Sequence, residues 1–235
     1  MCGVVAYYSD KPEAQDKKIL KDLILQSKIR GLHAFGMAYT HKKNTIIEKT
    51  NNIKNINIPD TNMLIYHNRY TTSGDWQKEK NNQPLQLHNN FLVFNGVIDM
   101  STKKEMQKKH NFKMNSDNDG ELFLHYLMHK DPVKILKDLK CSFAGVYIRK
   151  NNIYCIRNEH RPLYVVTIGK SVFIASTKDI FKRSGIDNAQ AIVTYKNIEL
   201  KQFIYENTGI QKISYPNDAK WGYRSSIQLP TLHSS

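Results

Sequence analysis

The chain opens with MCGVVAYYSD (residues 1–10), and the role of that stretch decides how the rest is read. Cys2 stands directly behind Met1, followed by Gly3 and the β-prone run Val4 to Tyr8. Two readings meet here. Cys2 is either a small buried hydrophobe at the start of a strand or a thiol placed to become the first residue of the processed protein.

Further runs of the same character follow: GMAYT (36–40), TIIE (45–48), MLIYHN (63–68), FLVFNGVI (91–98), FAGVYIRK (143–150), IYCIR (153–157), LYVVTIG (163–169) and SVFIAS (171–176). Asn, Gly and Lys turn residues punctuate them. Residues 13–29 place Ile19, Leu20, Leu23 and Ile24 at helical spacing with lysines opposite, which predicts an amphipathic helix. Leu122, Phe123, Tyr126 and Leu127 predict a second helix near 120–130. Strands outnumber helices, and the helices fall between groups of strands. That order predicts a layered α+β fold with helix-covered sheets. No Pro/Gly/Ser-rich linker or internal repeat divides the chain. Residues 2–215 read as one domain, and 216–235, which lose periodicity after Trp221, as a tail or docking segment.

The chain carries 35 Lys and Arg against 21 Asp and Glu, a formal net charge of +14. The lysines are scattered in short groups among Asn and Ile, as for a solvated surface, and an anionic partner such as nucleic acid stays open as a minor alternative. Cys2, Cys141 and Cys155 form no Cys-x-x-Cys spacing, which argues against a disulfide framework and a thiolate zinc site. No run approaches the roughly 18 apolar residues of a membrane span, and a basic, then apolar, secretory leader is lacking. The expectation is a cytoplasmic protein with no membrane association.

Three motif matches fail. Gly169-Lys170-Ser171 lacks the phosphate-loop glycine five residues earlier, where Tyr164 stands. The NSDNDG stretch from Asn115 resembles a calcium loop, yet its twelfth position is Tyr126 and not a bidentate acid. His125 and His129 have no nearby third ligand, so they read as an exposed helix edge and no metal is expected.

The remaining chemistry centres on Cys2. Aminopeptidase removal of Met1, permitted by the small second residue, places a free α-amine on the nucleophile's own residue. Such an amine titrates near about 7.7–8.0. It can take the thiol proton, directly or through one water, and later return it.

Read in order, the chain resembles the glutaminase domain of the class II glutamine amidotransferases, members of the N-terminal nucleophile hydrolases. The resemblance rests on MCGVV, RGLHAFG (30–36), HNRYTTSG (67–74), NNQPL (81–85), FNGVI (94–98), NDGELFLHYL (118–127), CSFAG (141–145), RNEHRPLY (157–164) and FIAST (173–177). It covers roughly residues 2–195 and is nearest the amidophosphoribosyltransferase and glucosamine-6-phosphate synthase types. It implies a four-layer αββα sandwich.

The implied reaction is hydrolysis of L-glutamine to glutamate and ammonia through a γ-glutamyl thioester on Cys2, with no cofactor. By the resemblance, Arg69 grips the substrate carboxylate with help from Thr72. Asp119 holds the ammonium group, with Asp117 as the alternate. The Asn95 side chain and the Gly96 amide form the oxyanion hole. Arg30, Gly31 and Tyr70 support the site. Taken singly, each keeps a plainer reading: Arg69 as a surface cation, Asn95-Gly96 as a hairpin turn, Asp119 as a helix cap. His33, Ser73 and Phe94 depart from the family pattern. The ammonia is expected to pass to a separate synthase chain. A non-catalytic basic binding module, or an amidohydrolase for another amide, stays open as an alternative.

Overall fold

The computed structural model describes residues 2–71, 74–206 and 208–211; Thr72 and the expected tail at 216–235 lie outside them. In chain order the strands and helices are β1 (Gly3–Ser9), α1 (Ala14–Gln26), β2 (Ala34–His41), β3 (Asn44–Thr50), β4 (Met63–Arg69), β5 (Leu85–Leu87), β6 (Asn90–Val97), α2 (Lys103–His110), α3 (Gly120–Leu127), α4 (Pro132–Asp138), β7 (Ser142–Arg149), β8 (Asn152–Arg157), β9 (Tyr164–Ile168), β10 (Ser171–Ala175), α5 (Lys178–Arg183), β11 (Gln190–Ala191), β12 (Ile198–Glu199) and α6 (Gln202–Tyr205).

The opening stretch forms a central strand. β1 lies between β10 and β4, antiparallel to both, with Gly3 opposite Asn68 and Val5 opposite Ala175. Both of its faces are covered. Val4 and Ala6 point into one apolar layer and Val5 and Tyr7 into another, as the two-residue period of a strand requires. A strand buried on both sides tolerates apolar residues at every position, which explains the unbroken run from Val4 to Tyr7.

The first sheet has the order β11-β9-β10-β1-β4-β2-β3 and the second β12-β8-β7-β6-β5. Every pairing is antiparallel. Between the sheets Val4, Ala6 and Ile65 meet Val93, Ala144, Val146 and Cys155. Outside the first sheet Leu20, Leu23 and Ile24 of α1, with Ile180 and Phe181 of α5, cover Tyr7, Tyr66 and Phe173. Outside the second, Met106 of α2, Leu122, Phe123 and Leu127 of α3, and Leu136 of α4 cover Leu92, Phe94, Phe143 and Tyr147. The fold is a four-layer αββα sandwich of the α+β class.

The amphipathic segment at 13–29 is helical over Ala14–Gln26 and tightens into a 3-10 turn at Ser27–Arg30. A reciprocal capping box between Glu13 and Asp16 starts it. The helix containing His125 ends at Leu127, so His129 lies beyond it. His125 is half-buried and stacks on Phe112 at 4.5 Å between ring centroids. Among the described residues no helix is long and apolar enough to cross a membrane.

Candidate active site

Cys2 sits at the end of β1, with Gly3 paired to Asn68 of β4, so that Arg69 is the next residue along the facing strand. Val4 and Ala6 face the layer between the sheets, and strand alternation sends Cys2 to that same side. The Cys2 thiol donates to the Tyr70 carbonyl over 3.5 Å, and Arg30 Nε donates to the Cys2 carbonyl over 3.3 Å. Burial pushes the thiol above its ordinary range, while the neighbouring Arg69 and Arg30 charges pull the other way.

The backbone around Cys2 is held from behind. Asn68, fully buried on β4, accepts from Ser27 Oγ at 2.9 Å and donates to the carbonyls of Ser27 at 2.8 Å and Gly31 at 3.0 Å. Gly31 lies against the Arg69–Tyr70 peptide, and a Cβ there would stand 2.4 Å from the Arg69 carbonyl carbon. Only glycine permits that approach.

One narrow cleft is lined by Cys2, Arg69, Tyr70, Gln83, Phe94, Gly96, Asn118 and Asp119, with about 20 Å³ of room, enough for about one water. Of the residues singled out in the sequence, Cys2, Arg69, Tyr70, Gly96 and Asp119 therefore meet in one place. Arg30 and Gly31 stand behind it, and Asp117 instead pairs with Asn81, accepting from its Nδ2 at 3.2 Å.

The plainer readings of the polar residues do not describe this geometry. Arg69 is buried, not a surface cation. Its Nη1 donates to the Asn81 carbonyl and to Asn82 Oδ1, each at 2.6 Å, and its Nη2 donates to the Gly74 carbonyl at 3.0 Å. Burial draws its pKa below that of an exposed guanidinium, and the charges of Cys2, Asp119 and Asp75 oppose the shift. Asp119 stands at the N-cap of α3 but makes no side-chain cap bond. Its Oδ2 accepts instead from the amides of Ile98 at 2.7 Å and Asp99 at 3.3 Å.

Asn95 and Gly96 lie inside β6 and not in a hairpin turn, paired with Ala144 and Phe143 of β7. The N–H and C=O of Phe143 are both engaged by Asn158, on the β8 side. In an antiparallel ladder this turns the Gly96 amide away from β7. Phe94, two residues earlier and in the same phase, donates its amide to Gln83 Oε1 at 2.6 Å across that edge. Asn95 is 3% exposed, and its Nδ2 is a buried donor with no partner among the described residues. Buried amide donors are almost always paired, and this one belongs to the residue between Phe94 and Gly96, both of which line the cleft.

Sequence reading named NNQPL as a motif without roles, and here it supplies the frame of the site. Asn81 and Asn82 hold Arg69, Gln83 holds Phe94, and Asn118 Nδ2 donates to the Asn81 carbonyl at 2.8 Å. Two departures from the family pattern also find a place. Phe94 turns its ring to the helical layer, against Phe123 at 5.5 Å. His33 Nδ1 accepts from the Thr71 amide at 3.0 Å, and its ring stacks on Tyr70 at 5.2 Å and Trp76 at 5.8 Å.

Known proteins resemble this chain in sequence and in fold. A family described as a glutamine amidotransferase domain matches residues 67–183. Glutamine–fructose-6-phosphate aminotransferase (isomerizing) of Buchnera aphidicola subsp. Acyrthosiphon pisum is 31% identical over 176 residues, covering 65% of this chain and 27% of that protein. The glutamine phosphoribosylpyrophosphate amidotransferase of B. subtilis superposes with a TM-score of 0.65 at 20% identity, over 82% of this chain and 46% of that one. A structure described as the allosteric regulatory enzyme of purine biosynthesis gives 0.59 at 18% identity, over 84% and 48%. The chain thus spans about a quarter of the curated relative's length and under half of either solved structure, and the two superpositions speak for the fold alone. The chain is thus similar in sequence to a glutamine amidotransferase domain over residues 67–183 and shares its fold with the two superposed structures.

Proposed function

We propose that this domain hydrolyses L-glutamine to glutamate and ammonia, with Cys2 as nucleophile once Met1 has been removed. The observation that carries the reading is the convergence in one cleft of a thiol, a guanidinium, a carboxylate and an outward-turned strand amide, at Cys2, Arg69, Asp119 and Gly96. A free amino acid with a side-chain amide needs those four kinds of group.

In this reading the Cys2 α-amine takes the thiol proton and the sulfur attacks the amide carbon. The oxygen that becomes negative is met by the Gly96 N–H and by Asn95 Nδ2, a donor without a partner among the described residues. The same amine returns the proton to the departing ammonia. Water then clears the thioester, and the two steps together consume one water per glutamine. Asp119 receives the substrate ammonium group and Arg69 its carboxylate, with Thr72 assisting. Gly74, Asn81 and Asn82 hold the Arg69 guanidinium in place for that carboxylate. The ammonia passes on to a synthase partner. That step follows the glutamine-dependent transfers named for the relatives.

The test is intact mass before and after treatment with a glutamine-mimicking diazoketone, with Cys2→Ala as control. Loss of Met1 and one stoichiometric adduct, blocked by glutamine, are expected. A fully retained Met1 in protein that still hydrolyses glutamine at full rate overturns the role given to the α-amine.

A further inference from the structure

Asp119 belongs to a closed hydrogen-bonded circuit that runs well away from the cleft. Its Oδ2 accepts from the amides of Ile98 and Asp99. The Asp99 carboxylate, 5% exposed, does not face the cleft. Its Oδ1 accepts from the Ser101 amide at 2.8 Å, and its Oδ2 is met by His110 Nε2 at 2.9 Å and Lys109 Nζ at 2.7 Å. His110 closes α2, and its Nδ1 meets the Tyr126 hydroxyl at 2.6 Å. Tyr126 lies on α3, seven residues and about two turns beyond Asp119, the N-cap of the same helix. The path therefore returns to the element on which it began.

The two contacts on Asp99 Oδ2 are unequal. The Lys109 side chain is 65% exposed and the His110 side chain 7%, so water competes for the ammonium far more than for the imidazole. The buried His110 also bridges two helices, and it fixes the Asp99 backbone at the spot where its amide serves Asp119.

We propose that His110 is a positioning residue: acting through Asp99, it holds the carboxylate of Asp119 in place for the α-ammonium group of the substrate. The inference rests on the reading of Asp119 given above. It touches neither the thiol nor the oxyanion donors, and it concerns one end of the substrate only. Loosening the circuit should therefore weaken recognition of the ammonium group while leaving bond cleavage alone.

The experiment compares L-glutamine with 4-carbamoylbutanoate, the same amide without the α-ammonium group. In His110→Ala, KM for L-glutamine should rise about tenfold, the scale of one lost hydrogen bond to a charged group, with kcat within about twofold. KM for 4-carbamoylbutanoate should be unchanged. His110→Gln, which keeps a donor toward Asp99, should recover most of the loss. Tyr126→Phe, a milder change at the far side of the circuit, should move KM in the same direction by less and covers the case in which the alanine variant folds poorly. Equal losses on both substrates, or no change in KM for glutamine in Tyr126→Phe and His110→Ala alike, overturn the proposal. Calorimetric titration of L-glutamine into Cys2→Ala separates the two levels. Absence of binding there overturns the reading of the site and the inference with it, whereas binding that His110→Ala leaves unaltered overturns the inference alone.

Discussion

The side chain of Asn68 lies against the backbone of Gly3 so closely that a Cβ on residue 3 would stand 2.1 Å from Asn68 Oδ1. Asn68 cannot retreat, because its amide is already bonded to Ser27 and Gly31. In Gly3→Ala, then, β1 must move, and Cys2 moves with it. We expect a loss of about 1–3 kcal/mol in urea unfolding, the usual scale for overpacking, together with loss of diazoketone labelling at Cys2. Unchanged unfolding and labelling would show that the close approach is dispensable.

Asn95 should separate catalysis from stability. Its Nδ2 is buried without a partner among the described residues, so truncating it removes an unsatisfied donor and not a hydrogen bond. Asn95→Ala is expected to lower kcat by about 10²–10³-fold, as for loss of one oxyanion donor, while unfolding free energy stays within about 1 kcal/mol of the parent. A variant that loses stability and activity in parallel would place Asn95 in the framework instead.

His67 contributes a pH dependence of its own. It is 1% exposed on β4, and burial, together with the Arg69 charge, lowers its pKa to about 3. Between about 6.5 and that value the unfolded chain binds a proton that the folded chain refuses. Stability therefore rises with pH across the window and falls on acidification from neutrality. Replacing His67 with Gln should flatten the slope between pH 4 and pH 6 in urea unfolding, and a parent curve already flat there would contradict the assignment.

Asp99 acts lower on the scale. Burial alone would raise its pKa, but hydrogen bonds from Lys109, Ser101 and His110 outweigh that and hold the carboxyl well below the ordinary range. Its stabilisation is complete above the unfolded value of about 3.9 and is lost as pH falls below it. Asp99→Asn should remove the stability lost below pH 4 while leaving the His67 window untouched. If both windows respond to this one substitution, the two groups are coupled and the separation fails.

Sequence and structure agree most closely where packing is local. All nine apolar runs read as strands are strands; eight present residues that two layers bury, whereas the edge strand β3 buries none and is held by its pairing with β2. The short pairings β5, β11 and β12 are set by their neighbours and leave no periodic trace. Helix α2, KKEMQKKH, was missed because only Met106 is buried on it. Its signal was the capping box of Thr102 and Glu105, not a hydrophobic face. The place of Cys2 behind Met1 singled it out, and the family resemblance added Arg69, Gly96 and Asp119; the fold gathers all four into one cleft. It left Asn81, Asn82 and Asn118 without roles, since a residue whose work is to hold an arginine or a loop carbonyl declares itself only when its acceptor is known.

The grip of the 74–82 segment on Arg69 yields the last prediction. Nη1 and Nη2 between them serve the carbonyls of Gly74 and Asn81 and the Asn82 side chain, so the guanidinium both braces that segment and, in the proposed function, awaits the substrate carboxylate. Lysine cannot reproduce the planar fork. In Arg69→Lys, KM for glutamine should rise on the order of a hundredfold, as expected for two charge-assisted bonds, and proteolysis within residues 74–82 should accelerate. Asn82→Ala separates the two roles. It removes the bond to Arg69 Nη1 and the Asn82 Nδ2 bond to the Trp76 carbonyl at 2.7 Å, loosening the segment while leaving the guanidinium intact. Faster proteolysis with KM unchanged or lowered is the expected result. If KM rises in Asn82→Ala as steeply as in Arg69→Lys, the segment is itself needed for binding, and bracing and binding are not separate roles of Arg69.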